Sequence, residues 1–128
     1  MSATERLAPL ASLDYCYLTT TGRSTGQPRE IEIWFGLQGG TLYLLSGGRD
    51  RSHWVRNIQR NPKVRVRVGS EQFEGVARLV EPDTDEDALA RRLLLEKYQP
   101  RSSDNLARWG REALPVAIDV GESPNSGQ

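Results

Sequence analysis

Apolar and polar residues alternate through the first two thirds of the chain. Ile31, Ile33, Phe35 and Leu37 point one way and Glu30, Glu32, Trp34 and Gly36 the other, the period of two that marks a strand with one buried face. Tyr15-Cys16-Tyr17-Leu18 is a shorter β-prone run before it, and Gln38-Gly39-Gly40 predicts a hairpin turn into the apolar run 41–45. Further on, Val64, Val66 and Val68 alternate with Lys63, Arg65 and Arg67. Gly69-Ser70 then turns into residues 71–81, where Phe73, Gly75, Ala77 and Leu79 share a face. One helical pattern interrupts the strands. Trp54 and Ile58 stand four apart, Asp50 or Ser52 supplies an N-cap, and Asn61-Pro62 stops it.

After Glu81 the period changes. Thr84 caps a helix whose first turn carries Asp85, Glu86 and Asp87. Leu89, Leu93 and Leu94 continue it to Tyr98, and Pro100 ends it. Ser102 or Ser103 opens a further helix through Leu106, Trp109 and Ala113, and Pro115-Val116-Ala117-Ile118-Asp119-Val120 reads as a last strand. Six β segments with a short helix between the third and fourth, and one or two helices before the last, predict a mainly β (α+β) fold. Gly-rich turns and short spacing favour a small closed or partly closed barrel over a parallel α/β sheet. Such a barrel fills its interior with side chains, so a sizeable ligand belongs outside it, in a groove between two subunits. A homodimer is the corresponding expectation.

At 128 residues the chain is long enough for one domain and one core, with residues 1–14 as an N-terminal arm and 121–128 as a frayed polar tail. Seventeen acidic and seventeen basic residues cancel, which argues against non-specific nucleic-acid binding. Arg49, Arg51, Arg56, Arg60, Lys63, Arg65 and Arg67 nevertheless crowd one stretch, while residues 81–87 are acidic. Cys16 is the single cysteine, which excludes a disulfide within the chain and suits a reducing, cytoplasmic setting. His53 is the single histidine, and no metal site is predicted. No apolar stretch reaches membrane-spanning length, and the start lacks the apolar core of a signal peptide.

Two loops carry the candidate chemistry. Residues 19–29, Thr-Thr-Thr-Gly-Arg-Ser-Thr-Gly-Gln-Pro-Arg, combine glycines, hydroxyls and two arginines. Glycine admits positive φ and close backbone approach, and guanidinium forks grip phosphate or carboxylate. Residues 46–52, Ser-Gly-Gly-Arg-Asp-Arg-Ser, repeat that composition just before a helix start, where free N–H groups and the helix dipole favour anions. A solvated hairpin turn has the same composition. Two such loops in one small domain point to an anionic ligand.

With those residues in view, the chain resembles the deazaflavin (coenzyme F420)-dependent nitroreductase and quinone reductase family, within the flavin-binding split β-barrels related to pyridoxamine-phosphate oxidase. Residues 18–29 carry the resemblance, with Ser46-Gly47-Gly48, the following Trp54-Val55-Arg56-Asn57-Ile58, and Asn61-Pro62-Lys63-Val64-Arg65-Val66. It implies an oxidoreductase that passes a hydride from reduced F420 to a quinone, nitro or activated-alkene acceptor. Arg23, Ser24, Thr25 and Arg29 would lie near the anionic part of the cofactor. Glu30, Ile31, Glu32, Ile33 and Trp34 would flank its ring, with Leu45, Ser46, Gly47 and Gly48 on the other side and His53, Trp54 and Asn57 on the helix. Ser24 stands where the family usually carries lysine, so Arg49 and Arg51 are the expected replacements, or the cofactor is the less anionic FMN. Tyr98 is the one match to the family's tyrosines near the substrate, and therefore the candidate proton donor. It also sits at helical spacing from Leu94, as a core residue does. A flavin or deazaflavin carrier without turnover fits the same residues.

Overall fold

The computed structural model describes residues 2–121; most of the tail, from residue 122 on, lies outside the described residues. Seven strands form one antiparallel sheet in the order β2-β1-β5-β6-β7-β4-β3. They are β1 (Cys16–Thr21), β2 (Pro28–Ile33), β3 (Gly36–Gln38), β4 (Thr41–Ser46), β5 (Lys63–Val68), β6 (Glu71–Leu79) and β7 (Leu114–Asp119). The two edge strands, β2 and β3, are joined by Trp34 and Phe35 alone. Ile33 and Gly36 are therefore at most about 11 Å apart, three Cα–Cα steps of 3.8 Å. A seven-stranded sheet whose edges lie that close must curl round until they meet. The result is a partly closed barrel, as the pattern of strands predicts, and of the split β-barrel type that the resemblance implies.

The alternating run 30–37 is two strands and not one, because Tyr98 and Lys97 take over the backbone of Phe35. The Phe35 N–H donates to the Tyr98 hydroxyl at 2.9 Å, while its carbonyl accepts from the same hydroxyl at 3.1 Å and from Lys97 Nζ at 3.0 Å. The period of two survives the bend, so six segments become seven.

Leu18, Leu42, Leu44, Val64, Val66 and Ile118 fill the barrel, together with Phe35 and Phe73. Leu79 departs from the predicted shared face and is 37 % exposed, whereas Phe73 and Ala77 are buried. Helix α1 (Ala3–Leu7) sends Ala3 and Leu7 into this core, fixed by a capping box between Ser2 and Glu5. Helix α2 (His53–Arg60) adds Val55 and Ile58. A second apolar layer lies outside the barrel. There Tyr43, Leu45 and Ala117 meet Ala90, Leu94 and Tyr98 of α3 (Asp85–Tyr98), with Trp109 of α4 (Ala107–Glu112) packed against them. β4 is buried on both faces for this reason. Thr84 caps α3 by accepting from the Asp87 N–H at 3.1 Å, as predicted. No helix among the described residues is long and apolar enough to cross a membrane.

Candidate functional site

The first loop leaves β1 at Thr21 and re-enters the sheet at Pro28. It closes on itself through Gly22 N–H to the Gln27 carbonyl at 2.7 Å and Gly26 N–H to the Gly22 carbonyl at 2.8 Å. Gly26 has φ +74°, and a Cβ on Gly22 would meet Thr25 Oγ1 at 2.8 Å and the Gln27 oxygen at 3.2 Å. The tightness of this turn therefore requires both glycines.

Between this loop and α2 lies a cleft of about 590 Å³, lined by Thr20, Gly22, Arg23, Ser24, Thr25, Pro28, Arg29, Glu30, Ile31, His53, Trp54 and Asn57. Asn57 ties its walls together. Its Nδ2 donates to Thr20 Oγ1 at 3.0 Å, and its Oδ1 accepts from the Arg23 backbone N–H at 3.2 Å and the Arg23 guanidinium at 2.8 Å. The guanidinium also meets His53, at the carbonyl (3.4 Å) and at Nδ1 (3.1 Å). Since a guanidinium only donates, Nδ1 accepts, and the ring carries its proton on Nε2.

The charge in this cleft is unbalanced. Among the described residues neither Arg23 nor Arg29 has an ion pair, and the Arg29 guanidinium makes no hydrogen bond. Glu30 is the one acid in the lining, and it faces Arg67 at 3.9 Å. Helix α2 adds its positive end. No acidic residue stands in its first turn and no side chain caps it. Ser52 at the N-cap turns its hydroxyl to Ser46 instead, donating to it at 2.8 Å because Ser46 spends its own proton on the Arg49 carbonyl (2.9 Å). Two guanidinium groups beside an uncapped helix start make a place for an oxyanion.

The predicted site residues divide here. Arg23, Ser24, Thr25, Arg29, Glu30, Ile31, His53, Trp54 and Asn57 share the cleft, and Thr20, Gly22 and Pro28 join them from the same loop signal. The rest lie elsewhere. Glu32 accepts from the Tyr17 hydroxyl at 2.6 Å, and Ile33 packs on the barrel core. Trp34 stacks on Tyr98 at 4.3 Å and meets Trp109 edge-on at 5.5 Å, in the outer layer that also holds Leu45. The second loop turns to α4. Gly47 lies against the Trp109 ring, a Cβ on Gly48 would fall 2.6 Å from Ser52 Oγ, and Arg49, at φ +55°, donates to the Glu112 carbonyl. Arg51 is exposed and also outside the cleft lining.

Of its two readings, Tyr98 takes that of a core residue. Its hydroxyl accepts from the Phe35 N–H and shares its one hydrogen between the carbonyls of Asp14, at 2.7 Å, and Phe35, and the residue is 2 % exposed. Burial pushes its phenol well above the usual range. It is a clamp on the barrel seam and not a proton donor to the cleft. Two neighbours share that dry setting. Burial, then the nearby Arg101, brings Lys97 down to about 8, and burial pushes the Cys16 thiol up to about 12.

A split β-barrel with a cationic cleft on its outer surface defines a class of protein suited to an anionic ligand. The comparisons narrow the class. Residues 3–120 match the model of the F420H(2)-dependent quinone reductase family, and the chain belongs to that family. It is thus an oxidoreductase whose cofactor is F420. Among solved structures it is similar to an F420-H2 dependent reductase, at 23 % identity over 83 % of this chain and 94 % of that one, TM-score 0.67. It is also similar to an FAD-binding protein from Mesorhizobium loti, at 19 % identity over 94 % and 88 %, TM-score 0.68. A third, described as a domain-swapped dimer, has 24 % identity over 90 % and 92 %, TM-score 0.65. Those identities establish the barrel; the family match distinguishes among its cofactors.

Proposed function

We propose that the chain holds reduced F420 in the cleft of the first loop and reduces a small electrophilic acceptor: a quinone, a nitro compound or an activated alkene. The observation that carries this reading is the pair of guanidinium groups, Arg23 and Arg29, left without carboxylate partners beside the uncapped start of α2. When bound, F420 supplies the hydride. The chain supplies the grip. Arg29 and Arg23 would hold the phosphate and the acidic tail, with Ser24 and Thr25 adding hydroxyls. Thr25 Oγ1 accepts from the Gln27 N–H at 3.2 Å, which leaves its own proton to donate. Pro28, Ile31 and Trp54 offer an apolar wall in the same cleft. The His53 Nε2–H is a further neutral donor there, and besides His53 and the two arginines only Glu30 is ionisable among the described residues that line the cleft.

The cleft is open at the surface, so a second subunit laid across it would exclude water from the reacting groups. The dimeric neighbour of the same fold supports a homodimer. The FAD-binding neighbour supports a second reading, in which a flavin, with FMN as the candidate, occupies the cleft.

Titration of the purified protein with oxidised F420 and with FMN, across a range of salt, separates the two. F420 carries more negative charge and should bind more tightly. Its advantage should shrink as salt screens the arginines over about 10 Å at 0.1 M. Tighter FMN binding at every salt concentration would overturn the F420 assignment. Oxidation of reduced F420 only when a quinone or nitro acceptor is added would separate an enzyme from a carrier.

A further inference from the structure

Asn57 is 4 % exposed on a helix whose neighbouring positions, Val55 and Ile58, enter the barrel core. An amide among aliphatic side chains costs stability unless its polar atoms are satisfied. Here they are, and in an informative way. One bond goes to β1 at Thr20, and the other two go to a single residue, Arg23, once at its backbone and once at the far end of its side chain. Arg23 is thus fixed at both ends.

The hydrogens of the guanidinium can be counted. NH1 spends both of its hydrogens, on Asn57 Oδ1 and the His53 carbonyl, and NH2 spends one on His53 Nδ1. The Nε hydrogen and the second NH2 hydrogen remain. These two lie along one edge of the planar group, the spacing that grips an oxyanion with two parallel bonds. One edge of Arg23 is held by α2, and the other is presented.

We propose that Asn57 is a positioning residue of this cleft. It acts on an anionic ligand only through Arg23, by turning the free guanidinium edge outward. The identity of the ligand rests on the F420 reading above; the geometry does not. Aspartate lacks the donor that Thr20 receives, leucine lacks both groups, and glutamine sets the acceptor one methylene further out.

The test is a double-mutant cycle read as affinity. Oxidised F420 is titrated into the unmodified protein, Asn57→Leu, Arg23→Ala and the combined variant at fixed ionic strength. Asn57→Leu should weaken binding about tenfold, the scale of a charge-assisted bond. Arg23→Ala should weaken it at least as much, and the combined variant should match Arg23→Ala within about twofold. Losses that multiply would mean that Asn57 meets the ligand itself, and no loss in Asn57→Leu would make it a core residue only; either result overturns the proposal. Should Asn57→Leu fail to fold, Arg23→Lys asks the same question. A lysine cannot be held on one edge while presenting another, so it should bind no better than Arg23→Ala, and full affinity would overturn the idea. Amide hydrogen exchange at Arg23 gives a readout free of any cofactor. It should quicken in Asn57→Leu, and an unchanged rate would sink the positioning role whatever the ligand. If the unmodified protein failed to bind F420, the functional reading would fall while the exchange test still decided this one.

Discussion

The first and second loops look alike as strings of residues, and the fold treats them differently. Each has two glycines, two arginines and at least one serine. The first opens onto the cleft with Arg29 unengaged and one edge of Arg23 exposed. The second is closed by Ser46, Ser52 and the Arg49–Glu112 contact, and it serves as the joint between β4 and α4. Composition marks where a chain can bind an anion. Whether it does so depends on what has already claimed the donors.

Substitutions can break this contrast. The largest effect belongs to Arg29→Ala, which should weaken F420 binding by about 1.5–3 kcal/mol, roughly ten- to a hundredfold, with the melting temperature unmoved. Calorimetric titration beside thermal unfolding checks both halves, and an unchanged affinity would return Arg29 to a solvated turn. Tyr98→Phe should do the reverse. It leaves the Phe35 N–H without its acceptor and should cost about 1–3 kcal/mol of stability. Turnover per folded molecule should stay the same; its collapse would restore Tyr98 as a proton donor.

Arg49→Ala combined with Arg51→Ala is the direct control for the second loop. The pair should change F420 affinity by less than about threefold, the scale of exposed charges. A loss as large as that of Arg29→Ala would put the second loop back at the ligand. The smallest effect is a dependence on pH in the layer below it. Lys97 titrates near 8 in the folded chain against 10.5 when unfolded, so the folded chain holds fewer protons between those values. Stability from this group therefore rises with pH across that window. Cys16, raised from 9.0 to about 12, acts oppositely above 9. Denaturant midpoints from about pH 7.5 to 9 should climb in the unmodified protein relative to Lys97→Met. Parallel curves would reject the depressed lysine.

Much of this was legible in the sequence, for physical reasons that also explain the gaps. The alternation in β5 and β6 and the Thr84 cap are local signals, and the barrel follows from them. The break at Trp34 and Phe35 was hidden because the apolar period runs through it unbroken; what ends the ladder is a tyrosine 63 residues away. The capping box of α1 was present at Ser2 and Glu5, but the helix spans only five residues. At the site, the glycines of the first loop were readable as a tight turn. The division of Arg23 between Asn57 and an open edge was not, because that bond spans 34 positions. Trp34 and Leu45, expected at the ring, pack under α3 and α4, which cover the outer face of the sheet there.

The place of β7 has a consequence for how the molecule is made. Although it comes last among the strands, it lies inside the sheet, bonded to β6 on one side and to β4 on the other. Until residues 114–119 emerge, the ladder is cut between β6 and β4, and each presents a bare strand edge. Strands β1 to β6 can leave the ribosome as hairpins, but the barrel cannot close around its core before the final strand arrives. Truncation or delay at that point leaves two sticky edges in place of a seam, and aggregation competes with folding there.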